Sequence, residues 1–174
     1  IGTSGGTNKS TNLPFVWEFR TYIDDVDTSP PALFGDERPV NQVNAATTVV
    51  SEVVDLGYSL SESKKMVEDA LELPPGVLEE DPTGNINGAK AIASIMTIVN
   101  INGSRKSMGD TINQMASMVA GSGDEKYDAD LKTKNPAYNI PALDFSNSDV
   151  ISNLMSDDLD TQATTKFLLK EILW

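Results

Sequence analysis

Three aspartates stand close together at Asp24, Asp25 and Asp27, and a second run, "DPTGNING", places Asp81, Thr83, Asn85 and Asn87 at alternate positions. Clustered side-chain oxygens of this kind are the hard ligands that Ca²⁺ takes. The chain has no His and no Cys, so the usual ligands of zinc and copper are missing, and the ion expected at Asp24, Asp25 and Asp27 is calcium. The ordinary reading of the same triplet is a solvated acidic loop. In the second run, Ile86 stands where an EF-hand loop needs glycine and Ile92 where it needs the closing glutamate. Asn85 and Asn87 are better explained as turn formers and a helix cap. No cofactor other than Ca²⁺ is expected.

The same two absences bound the catalytic chemistry. Without His the commonest general base is gone, and without Cys there is no thiol nucleophile, disulfide or zinc–thiolate site. Ser–Lys pairs occur at Ser61 and Lys64 and at Ser104 and Lys106, but each Lys reads as an exposed residue near a helix end. Carboxylate pairs for glycoside hydrolysis are available by number. Sugar-binding grooves normally add several aromatic rings, and aromatics are only 6% of this chain. The Gly clusters "SGG" and "GSG" carry no phosphate-loop signature. Met66, Met96, Met108, Met115, Met118 and Met155 fall in expected helices, where core filling competes with an adaptable binding groove. Asn8 and Asn102 begin N-x-S sequons. The chain is expected to be non-enzymatic.

Composition sets the frame that would position these groups. The 174 residues fit one domain, or a domain with a small appendage. Hydrophobic residues are 39% of the chain, and with few aromatics the core is expected to be Val, Ile, Leu, Met and Ala. A formal net charge of −13 makes nucleic acid and anionic lipid poor partners, because both are bound through Lys and Arg. No apolar run reaches the roughly 18 residues that would suggest a membrane span. The chain opens at Ile1 without an initiator Met or a signal-peptide pattern, and is expected to be a processed product or a piece of something longer.

Residues 1–40 are expected to hold a β segment and an acidic loop. After the Gly-, Ser- and Thr-rich lead-in "IGTSGGTNKST", the stretch "NLPFVWEFRTYID" alternates, with Leu13, Phe15, Trp17 and Phe19 on one face. The next stretch, "DDVDTSPPALFGDERP", reads as a loop stiffened by Pro30 and Pro31. From Asn41 the apolar period becomes helical. Val43, Ala46, Val50 and Val53 or Val54 form a stripe that ends at Gly57. Ser59 and Glu62 have capping-box spacing, and Met66, Val67, Ala70, Leu71 and Leu73 follow until Pro74 and Pro75 stop the helix. A third helix is expected near 87–100 with Ile92, Ile95, Met96 and Val99 inward. A fourth is expected near 108–120 with Met108, Ile112, Met115 and Val119 inward. Gly121 to Asp144 reads as a long charged loop. Ser148 or Asp149 could cap a short helix holding Val150, Ile151 and Leu154, and a last helix at 159–173 turns Ala163, Phe167, Leu168 and Ile172 inward. The expected fold class is mainly α, a helical bundle of about six helices over 41–174 with a short N-terminal β element packed on it as one compact domain.

Taken in order, "SGGTNKSTNLPFVWEFRTYI", "VNAATTVVSEVVDLGYSLSESKKMVEDALELP" and "DPTG" resemble a helical module of large exported bacterial surface proteins of the adhesin type. Thr47 and Thr48 match its paired threonines, Gly57, Leu60 and Ser61 its turn and second helix start, and Leu71, Leu73 and Asp81–Pro82 its close. Ala45 and Ala46 depart from the pattern, which has Pro and Leu there, and Tyr58 is inserted before the Ser-Leu-Ser. The likeness covers Gly5 to Val99. It implies a non-enzymatic structural or adhesive module at the bacterial cell surface, outside the cell, whose partners are neighbouring domains of the same chain or copies of itself. One alternative is a self-assembling filament or surface-layer subunit that adds the Leu13–Tyr22 strand to a neighbouring sheet. The other is a carbohydrate-binding accessory domain or a glycan-active enzyme.

Overall fold

The computed structural model describes residues 2–3, 18–22, 43–79, 84–103, 107–121, 143–145, 147–155 and 159–173. The fold is mainly α with a short N-terminal β element. In chain order it has β1 (Gly2–Thr3), β2 (Phe19–Arg20), α1 (Ala45–Asp55), α2 (Leu60–Ala70), a 3₁₀ turn (Val77–Glu79), α3 (Ile86–Asn102), α4 (Met108–Gly121), α5 (Ser148–Leu154) and α6 (Leu159–Leu173). The two strands pair antiparallel, Gly2 opposite Arg20 and Thr3 opposite Phe19.

Helix α1 is the hub, packed against α2, α3, α4 and β2. Its first seven residues, Ala45 to Ser51, are all buried. They carry no charge and no long side chain, so this part of the helix can be packed on every side. One stripe therefore understates α1, although Ala46, Val50 and Val53 are buried as expected, with Val43 and Val54 half-buried. Asn44 caps the helix, its side-chain oxygen accepting from the N–H groups of Ala46 and Thr47 at 2.9 and 3.1 Å. Gly57, at φ 102, turns the chain where an L side chain would be strained.

Ser59 and Glu62 form the capping box that opens α2: the Ser59 N–H donates to Glu62 Oε2 at 2.9 Å and the Glu62 N–H to Ser59 Oγ at 3.2 Å. A Schellman motif closes the helix. The Leu73 N–H reaches the Glu68 carbonyl at 2.8 Å and the Glu72 N–H reaches that of Asp69 at 3.3 Å. Glu72 takes the left-handed position at φ 54, where glycine is usual. The buried Glu68 carboxylate then accepts from the N–H groups of Gly76 and Leu78, at 2.8 and 3.4 Å, and holds the turn after Pro74–Pro75. Of the residues expected to face inward here, Val67 and Leu73 are buried, while Met66, Ala70 and Leu71 are half-buried against the core.

Helix α3 is longer than the periodicity suggests. Its buried face is Ala91, Ser94, Ile95, Ile98, Val99 and Asn102, with Ile92 and Met96 at the border. In α4, Ile112, Met115 and Val119 are buried as expected and Met108 is half-buried. Asn147 caps α5 through a bond from the Asp149 N–H at 2.8 Å, one position before the expected cap. Helix α6 has the expected span but a different orientation. Gln162, Thr165 and Leu169 are buried, whereas Ala163 is exposed, Phe167 is 63% exposed and Leu168 39%. Thr165 satisfies its hydroxyl on the Thr161 carbonyl at 2.8 Å, so a polar residue takes the inner face at no hydrogen-bond cost. Leu13, Phe15 and Trp17 of the expected strand, and residues 122–142 of the expected charged loop, lie outside the described residues.

Candidate functional site

Among the described residues, polar and charged side chains gather where β2 crosses the start of α1. Thr47 and Thr48 occupy the first turn of α1 and present two hydroxyls side by side to one backbone unit of β2. The Arg20 N–H donates to Thr48 Oγ1 at 3.0 Å, and Thr47 Oγ1 donates to the Arg20 carbonyl at 3.1 Å. The Thr48 hydroxyl donates back to the Asn44 carbonyl at 2.7 Å, and Thr47 Oγ1 accepts from the Asn44 N–H at 2.9 Å. A pair of helical threonines thus takes the place of a neighbouring strand along this edge of β2.

Charges extend the attachment. Arg20 Nε lies 3.3 Å from Glu18 Oε1 and its terminal nitrogen 3.5 Å from Glu52 Oε1. The Tyr22 hydroxyl donates to Asp55 Oδ1. Burial lifts the Glu52 carboxyl above the ordinary carboxylate value; Arg20 opposes that rise and Asp55 adds to it. The bond to Asp55 raises the Tyr22 phenol, with desolvation and the nearby carboxylates adding to it.

Beside this strand lies a cleft of about 350 Å³, lined by Glu18, Arg20, Thr48 and Glu52 on one side and by Ser107, Met108, Gly109 and Ile112 of the α4 start on the other. Ser107 is engaged in capping α4: its Oγ accepts from the Asp110 N–H at 3.1 Å and donates to Asp110 Oδ2 at 2.7 Å. Two carboxylates face one cleft, the minimum for glycoside hydrolysis. Both are committed to the same guanidinium, and no aromatic ring is among the described lining residues.

Asp24, Asp25 and Asp27 lie outside the described residues, as do Asp81, Thr83, Ser104, Lys106 and Asn8. Among the described residues no group of three or more acidic side chains is placed to hold a metal ion. Asn85 caps α3, accepting from the N–H groups of Asn87 and Gly88 at 3.0 and 3.2 Å, and Asn87 is exposed in the first turn. Ser61 is exposed in the first turn of α2, and neither it nor Lys64 lines the cleft. Asn102, the second sequon residue, is only 2% exposed. Its amide donates to the Leu154 carbonyl at 2.8 Å and to Thr111 Oγ1 at 3.4 Å, so the nitrogen that would carry a glycan is a structural tie between α3 and α5. Of the methionines, Met115, Met118 and Met155 are buried, Met66, Met96 and Met108 pack half-buried on the core, and Met108 also lines the cleft.

Sequence reading missed Arg20, Glu52, Tyr22 and Asp55 as a group, because they meet only when β2 lies across α1. The adjacent threonines at the helix start were the one visible signal. No family model matches the chain, and no curated protein or solved structure matches it either.

Proposed function

We propose that the chain is a non-enzymatic structural or adhesive module of a bacterial cell-surface protein, acting outside the cell beside other domains of the same chain. The observation that carries this reading is the threonine clasp. Thr47 and Thr48, the residues that match the paired threonines of exported surface modules, fasten the N-terminal β element to the hub helix through both backbone polar groups of one residue, Arg20. A module strung between neighbours needs such a junction where the chain enters its bundle. Within the cleft Glu18 and Glu52 both pair with Arg20, an arrangement in keeping with a structural seam. A net charge of −13 argues against nucleic acid as a partner. Among the described residues no helix is long and apolar enough to cross a membrane.

The reading is tested by solution mass and by glycan binding. Light scattering across a concentration series is expected to give one monomer mass, and a glycan array no saturable signal at the cleft. An open-ended polymer would replace this reading with the self-assembling subunit. A saturable glycan signal lost in Glu52→Ala would replace it with a carbohydrate-binding domain.

A further inference from the structure

We infer that residues 18–22 form a separately releasable strap, latched to α1 by the hydroxyls of Thr47 and Thr48, and that the helical bundle keeps its fold when the strap is off. Three features carry this. First, the buried hydrophobic core of the described residues runs from Ala45 to Leu169, and the β element adds to it only the half-buried Phe19 at its border. Removing residues 18–22 therefore takes Phe19 and the buried Thr21 out of the packing but no member of the buried hydrophobic core, and parts with few buried apolar contacts open with the least free energy.

Second, both sides of the latch have somewhere to go. The Arg20 N–H and carbonyl can take water once free. The threonine hydroxyls keep partners inside the first turn of α1, since Thr48 Oγ1 already donates to the Asn44 carbonyl at 2.7 Å and Thr47 Oγ1 lies 3.0 Å from the same oxygen. The Asn44 side chain caps α1 without any help from the strap. Release leaves both threonine hydroxyls within reach of the Asn44 carbonyl and open to water. Third, the charged ties lie at or near the surface. Arg20 with Glu18 and Glu52, and Tyr22 with Asp55, are ion pairs and a hydrogen bond that water and salt weaken.

The strap would also form one wall of the 350 Å³ cleft, through Glu18 and Arg20, so releasing it opens that side of the hub helix. The inference goes beyond the module reading and does not depend on where the protein resides.

Native-state hydrogen exchange of the whole chain tests it, following the Arg20 amide against those of Ile98 and Val99 in α3 as denaturant is raised. Arg20 is expected to exchange at least about tenfold faster than Ile98, through an opening with a shallower denaturant dependence. Thr48→Val, which keeps the shape and removes the acceptor, is expected to speed Arg20 further and leave Ile98 and Val99 unchanged. Salt near 1 M is expected to act in the same direction as that substitution. Equal rates and equal denaturant dependence for Arg20 and Ile98 in the unmodified chain would overturn the inference, whatever the variant does. So would a Thr48→Val effect of the same size at both places.

Discussion

Replacing Asn102 by Ala should be among the most damaging single changes to the bundle, although sequence alone marks this residue only as a glycan acceptor. The amide is 2% exposed and donates to the Leu154 carbonyl at 2.8 Å, with a longer contact to Thr111 at 3.4 Å. Leaving the Leu154 carbonyl without this donor in a fully buried residue costs about 1–3 kcal/mol. For a chain of this size that lowers the melting temperature by at least about 2 °C. Urea denaturation followed by far-ultraviolet circular dichroism would read it as a midpoint lowered by about 0.5–1.5 M. Asn113→Ala, on the exposed side of α4, is the matched control and should stay within about half a kcal/mol. A loss below about half a kcal/mol for Asn102→Ala would refute the tie between α3 and α5, and a glycan found on Asn102 in folded protein would refute its burial.

Further outcomes follow from the same contacts. Ile95→Ala, at a fully buried site in α3, should cost about 2–5 kcal/mol; Phe167→Ala should cost less than about half a kcal/mol, and a larger loss measured by urea titration would mean that α6 is turned as its periodicity suggests. Gly57→Ala should destabilise by about 1–2 kcal/mol and Glu72→Gly should not destabilise at all, because only the first forces a side chain into positive φ; thermal melts check both. Glu52 gives a pH signature: its folded-state value is raised, so its contribution is fully present below the ordinary glutamate value and is lost as pH rises through the folded value. The stability of the unmodified chain relative to Glu52→Gln should therefore fall as pH rises from that ordinary value, and a difference that grows with pH would reverse the assignment.

How much of this was legible depends on which residues carry each feature. Helix ends were written locally. Ser59 with Glu62, Gly57, Asn85 and Pro74–Pro75 each act within a few positions of themselves, so spacing alone finds them. Faces were less legible. In α6 the apolar positions Ala163, Phe167 and Leu168 point outward because Thr165 can bury its hydroxyl against its own helix, which a hydropathy pattern does not register. In α1 the reverse holds, since small uncharged residues on every side let the helix be surrounded. The clasp was the least legible part. Arg20 and Thr48 are far apart in sequence, and the bond uses the Arg20 backbone, so its side chain gives no hint. Glu18 and Arg20 alternate with the aromatic face of the strand and Glu52 is one acid among many, until the strap brings them together.

The central claim is that this is a surface module, and location tests it most directly. An antibody raised against the folded chain can be applied to intact and to lysed cells that make the protein, with and without prior treatment by an external protease. The account predicts labelling of intact cells that the protease removes. Labelling that appears only after lysis, and survives protease treatment of intact cells, would contradict it.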